Sequence, residues 1–317
     1  MQTAQLVERA FHAMGSEAHL LVLSTQETAD DLLDLAREEI SRLEQRWSRF
    51  LPLSEVSRAN ASSGRPVAVS PETFELVSVA LVARNLTAGR FDPLVLPAVE
   101  QAGYDRDFDQ IQMRGVDGLG ARPRRSARTV TVDPPFDCAL DARERTITVP
   151  IGRGLDLGGI GKGRAADLVS SSLIEAGADG VCVNLGGDLR VRGRGPEPDG
   201  WVIGVEDPFD PDTDLTVLRL DGAASATSSR VKRCWHANGE QQHHLIDPRT
   251  GRPADTDLAA VTVIASSATW AEVIAKAALL AGSTGATVVI DEFGAAGLAV
   301  DLDGKVMRAG TIWEYEL

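Results

Sequence analysis

Apolar residues recur at Leu32, Leu33, Ala36, Ile40, Leu43 and Trp47 with polar residues between them. That is the spacing of one helical face, and it predicts an amphipathic helix over 28–47. Ser70-Pro71-Glu72-Thr73 supplies an N-cap, a first-turn proline and a carboxylate near the positive end, so a second helix starts there and buries Phe74, Val77 and Leu81. The apolar run at 18–23 reads as a strand. Beyond residue 145, short β-type runs alternate with glycine turns at 146–149, 180–183, 201–205, 216–220 and 260–264. Helices are predicted at 163–175 and 269–281, and a hairpin around Asp303-Gly304 at 298–312. Residues 288–293 fit helix or strand equally. The segment 112–130, with Arg122-Pro123-Arg124-Arg125, reads as an exposed loop. Strands and segregated helices without strict βαβ alternation make this an α+β protein, with mixed, largely antiparallel sheets and packed helices.

Composition narrows the partners. The 317 residues are enough for a large core, and the formal net charge of -14 repels phosphate backbones and anionic membrane surfaces. Nucleic acid is therefore not an expected partner. An anionic cofactor would have to be held by local backbone N–H groups or a metal ion. Cys138, Cys182 and Cys234 are odd in number and lack a Cys-x-x-Cys spacing, so reduced thiols are expected. Glu8, His12, Glu17 and His19 interrupt any signal-like run, and Glu272 and Lys276 interrupt the apolar stretch 268–290. These features predict a cytoplasmic chain with no membrane insertion.

Three segments carry candidate chemistry. Asp156-Leu157-Gly158-Gly159-Ile160-Gly161-Lys162-Gly163 runs into a helix, where glycines admit a ligand to the backbone and free N–H groups face an anion. A P-loop is excluded, since Asp156 and Gly163 stand where glycine and Ser or Thr are required. A plain flexible turn remains the alternative. His243-His244-Leu245-Ile246-Asp247-Pro248-Arg249-Thr250-Gly251-Arg252-Pro253 sets a histidine beside a rigid turn, which suits a general base or simply an exposed turn. Asn184-Leu185-Gly186-Gly187-Asp188 reads as a ligand-approach loop or a β-turn.

Together with Met14-Gly15, Ser54-Glu55-Val56-Ser57 and Gly89-Arg90-Phe91-Asp92-Pro93, these segments follow in the order of the FAD:protein FMN transferase (ApbE-type) family, which most of the chain resembles. The resemblance implies a single two-lobed domain over 1–317 that binds FAD between its lobes. It implies transfer of FMN to a Ser or Thr of an acceptor flavoprotein, with AMP leaving. By position it places FAD contacts on Met14, Phe50, Arg90, Phe91, Asp92, Gly158, Lys162, Arg164 and Ile246, and the proton-accepting role on His244. It also implies Mg²⁺, held by the Gly161 carbonyl and two side chains one helical turn apart. Those positions carry Glu272 and Lys276 in place of the family's Asp and Thr. Either Glu272 keeps Mg²⁺ with Lys276 turned aside, or Lys276 replaces the cation. Water as acceptor, giving an FAD pyrophosphatase, and a non-catalytic FAD-binding protein are the alternatives. Asp221-Gly222-Ala223-Ala224-Ser225-Ala226-Thr227 resembles the family's acceptor motif, broken at Ala224. It would matter only for self-flavinylation.

Overall fold

The computed structural model describes residues 4–25, 29–112, 138–237 and 240–317. The expected loop at 112–130 lies almost wholly outside them. The chain divides into two compact units, each assembled from separated segments: 1–46, 158–231 and 256–317 form one, 47–157 and 232–255 the other.

The first unit is built on an antiparallel sheet in the spatial order Gln5–Ala13, Ser16–Ser24, Gly180–Leu185, Asp188–Gly193, Ala224–Ser229, Leu258–Ala265, Ala296–Asp301, Val306–Ala309. Side chains alternate between its faces. One set, including Leu189, Val191, Ile264, Leu298 and Val300, buries against Trp201, Val205, Leu218 and Leu220 of the hairpin Trp201–Glu206 and Asp214–Leu220. The helices Gly161–Glu175 and Ala268–Ala281 pack on each other and on the sheet. With both faces covered, Leu258–Ala265 is buried almost end to end. This explains its continuous apolar run in an antiparallel sheet. Residues 288–292 resolve as helix, within Ala286–Glu292, and Phe293 is its C-cap.

The amphipathic helix is Ala29–Trp47, with the six expected apolar residues buried. In the second unit, Trp47 Nε1 donates to Thr73 Oγ1 at 3.0 Å. Thr73 lies in the helix Pro71–Leu86, whose N-cap Ser70 accepts from the Thr73 amide. The Ser70 amide and hydroxyl donate to Glu55 in the helix Glu55–Ala61. The landmark Ser54-Glu55-Val56-Ser57 is therefore a cap and a helix tie. A small core of Val99, Tyr104, Ile111, Trp235 and Ile246 completes this unit.

Candidate functional site

The helix Gly161–Glu175 begins at Gly161, two residues before the position its sequence suggests, and its N-cap Ile160 provides no side-chain hydrogen bond. First-turn amides then need outside acceptors. The Gly163 amide donates to Glu272 Oε2 at 2.9 Å. In return, Asp167 of the same helix accepts from the Ala268 and Thr269 amides, both at 2.9 Å, and from Thr269 Oγ1 at 2.6 Å. Each helix thus carries the carboxylate that caps the other. A Cβ on residue 163 would lie 2.3 Å from the Ala268 carbonyl oxygen. At this position glycine serves helix contact, and its amide is already engaged.

Around this junction four charges alternate. Lys162 Nζ pairs with Asp188 Oδ2 and reaches the Leu185 carbonyl at 3.4 Å. Lys276 Nζ lies 3.5 Å from Glu272 Oε1, with the Glu272 side chain only 1% exposed and that of Lys276 17%. Helical spacing alone suggests an exposed pair contributing about 0.3–0.5 kcal/mol, but the pair is buried. Burial pushes the Glu272 carboxyl up to about 7, and neighbouring Asp188 acts in the same sense, opposed by Lys276, Lys162 and the Gly163 amide.

Asp188 reaches Lys162 because Gly186 and Gly187, at φ 64° and 94°, form a two-residue turn between Gly180–Leu185 and Asp188–Gly193. The β-turn reading is the right one there. A second such turn, Met14-Gly15 at φ 52° and 68°, joins the first two strands. Left-handed backbone costs a side-chain-bearing residue about 1–2 kcal/mol, so methionine at 14 is a local strain that folding alone does not require.

The second unit holds its candidates rigidly. The Arg49 guanidinium pairs with Asp156 at 3.1 Å and lies over the rings of Phe50 and Tyr104, 4.2 and 4.8 Å from their centroids. Asn60 clamps Leu155 by donating to its carbonyl and accepting from its amide. Phe91 and Asp92 are buried, with Asp92 accepting from the Leu94 amide and pairing with Arg84, while Arg90 is half-buried. His243 is buried, its Nε2 3.0 Å from the Ala254 carbonyl, whereas His244 is half-buried. Backbone beside His244 is fixed by the Ala254 amide donating to the Leu245 carbonyl and by the hairpin Ile246–Asp247 with Arg252–Pro253. Asp247 caps that turn through the Arg249 amide, and Arg249 hydrogen bonding holds its carboxyl below the usual range. Ile246 is buried in the aromatic core.

Residues 14–299 match the ApbE family profile. The chain belongs to the ApbE family. The FAD:protein FMN transferase of Klebsiella pneumoniae (strain 342) is 32% identical over 238 residues, covering 71% of this chain and 70% of that protein. That of Treponema pallidum (strain Nichols) is 27% identical over 90% of this chain and 81% of its own length. The crystal structure of the ApbE protein of Thermotoga maritima aligns with a TM-score of 0.87 at 27% identity, covering 99% of this chain and all of that one. The α+β ApbE fold is therefore that of this chain.

The Mg²⁺ implied by ApbE resemblance does not fit the residues present. Mg²⁺ takes near-octahedral oxygen ligands, and a protonated lysine cannot ligate. Glu272 Oε2 is already engaged by an amide, and Oε1 faces an ammonium rather than open space. The Gly161 carbonyl, at the first helical residue, belongs to the intrahelical ladder. A divalent ion about 4 Å from an ammonium is repelled by ~8 kcal/mol at an effective dielectric of 20. Lys276 is not turned aside.

The acceptor-like segment 221–227 leads into the inner strand Ala224–Ser229, where Thr227 Oγ1 pairs with Thr262 Oγ1 at 2.9 Å. That places it in the sheet and gives no support to self-flavinylation. Asp167 and Arg49 were invisible as partners in the sequence, because their contacts lie 101 and 107 residues away at Ala268 and Asp156. Among the described residues, no helix is long and apolar enough to cross a membrane.

Proposed function

We propose that this chain is an FAD:protein FMN transferase, moving FMN from FAD to a Ser or Thr hydroxyl of an acceptor flavoprotein and releasing AMP. The observation that carries this reading is the ApbE match over 14–299, with curated relatives that bear that name and align along most of their length. The activity is assigned to the whole chain as one domain. The reduced, buried thiols of Cys138 and Cys182 support a cytoplasmic setting.

In the reaction the acceptor Oγ attacks the FMN phosphorus. A new O–P bond forms, the P–O bond to the AMP phosphate breaks, and AMP leaves with the bridging oxygen. The hydroxyl proton passes to the His244 imidazole, a role its half-buried position beside a clamped hairpin supports. The FAD contacts implied by the family resemblance are Met14, Phe50, Arg90, Phe91, Asp92, Gly158, Lys162, Arg164 and Ile246. The positive φ of Met14 and the half-buried position of Phe50 favour these assignments. No step is routed through a metal ion.

The test incubates the protein with FAD, with and without a peptide carrying an Asp-Gly-x-Ser/Thr-x-Ala-Thr motif, and follows AMP and peptide mass. Peptide gaining FMN with equal AMP supports transfer. AMP without peptide modification would mean hydrolysis, and no AMP would leave FAD binding alone. His244→Ala is expected to abolish transfer while sparing FAD affinity.

A further inference from the structure

The geometry points to a metal-independent enzyme in which the Lys276 ammonium, seconded by Lys162, occupies the place of the divalent cation and neutralises the FAD pyrophosphate. This rests on the transferase reading above and specifies how its site handles charge.

Three observations carry it. Glu272, the sole carboxylate at the two family metal-ligand positions, is spent on the protein itself, one oxygen capping Gly161–Glu175 through the Gly163 amide and the other facing Lys276. Lys162 sits at the start of that helix and Lys276 in Ala268–Ala281 one turn after Glu272, each anchored to a more deeply buried carboxylate, Asp188 at 3% exposure and Glu272 at 1%. Their own side chains keep 17% exposure, more than either carboxylate they pair with. The cluster pairs two lysines with two carboxyl groups. A pyrophosphate brings negative charge to two ammonium groups whose positions are set in advance, and such preorganised donors stabilise developing phosphate charge without reorganisation. A dication arriving at the same place would meet those ammonium groups with one carboxylate oxygen to bind.

FAD affinity is measured by flavin fluorescence on the full chain after EDTA treatment and again in millimolar Mg²⁺. Mn²⁺ alone is titrated against the protein by electron paramagnetic resonance. The inference expects FAD affinity equal within twofold in both buffers, no stoichiometric Mn²⁺ uptake, and AMP release that persists in EDTA. A tenfold or larger gain in FAD affinity with Mg²⁺, or one Mn²⁺ bound per chain, overturns it and leaves the transferase reading intact. Failure to bind FAD in either buffer overturns both. Lys276→Met leaves a buried carboxylate without its ammonium and risks misfolding. It is therefore paired with the Glu272→Gln/Lys276→Met double variant, which orphans no charge. At least tenfold weaker FAD binding by a folded double variant supports the role, and unchanged binding refutes it.

Discussion

Asp167 shows how much a single buried side chain can hold. Its carboxylate accepts three hydrogen bonds from the start of Ala268–Ala281 and lies 3.7 Å from Arg190 Nε. Asp167→Ala strands two amides and a hydroxyl, each worth roughly 1–3 kcal/mol when left unsatisfied, and is expected to destabilise by about 3–5 kcal/mol in urea titration. Thiol chemistry gives a milder check. Burial pushes Cys138 and Cys182 up to about 12, with Asp92 adding to the effect at Cys138, so neither forms thiolate near neutral pH. Titration of the folded protein with an aromatic disulfide reagent at pH 8 should leave both unmodified until denaturant is added. The tight turn beside His244 was legible in the sequence, because its Asp-Pro and Thr-Gly residues mark it. The Gly163 amide as partner of Glu272 was not, since nothing local in Ala268–Ala281 says that Gly163 lies against it.

Elements with a strong period or cap were readable within one or two residues. Ala29–Trp47 and Pro71–Leu86 carry their own signals, an apolar stripe in one and a Ser-Pro-Glu start in the other. The hairpin Gln5–Ala13 with Ser16–Ser24 escaped notice because methionine is not a residue that announces a tight turn. Asparagine tolerates that backbone better, so Met14→Asn is expected to stabilise by about 0.5–1 kcal/mol in thermal melts while weakening FAD binding. The opposite holds at Gly163. A methyl group there overlaps the Ala268 carbonyl and must push the two helices apart, so Gly163→Ala should cost at least about 2 kcal/mol. Within the glycine-rich run 156–163, Gly163 serves helix contact, and sequence could not separate that role from ligand approach.

At the scale of the molecule, each unit is stitched from segments far apart in sequence, which is why no boundary showed in the composition. The C-terminal residues take part: Ile312 is buried in the core of the first unit, and the Leu317 amide donates to the Val217 carbonyl. Removing residues 311–317 should cost about 2–5 kcal/mol, the range for emptying one large aliphatic position, and lower the melting temperature in calorimetry accordingly. The crossed caps have a further consequence for motion. Neither helix can fray at its start without releasing an acceptor that the other needs, so the two openings form one event. In native-state hydrogen exchange the Gly163, Ala268 and Thr269 amides should share a common opening free energy, and denaturant should lower it with one slope for all three.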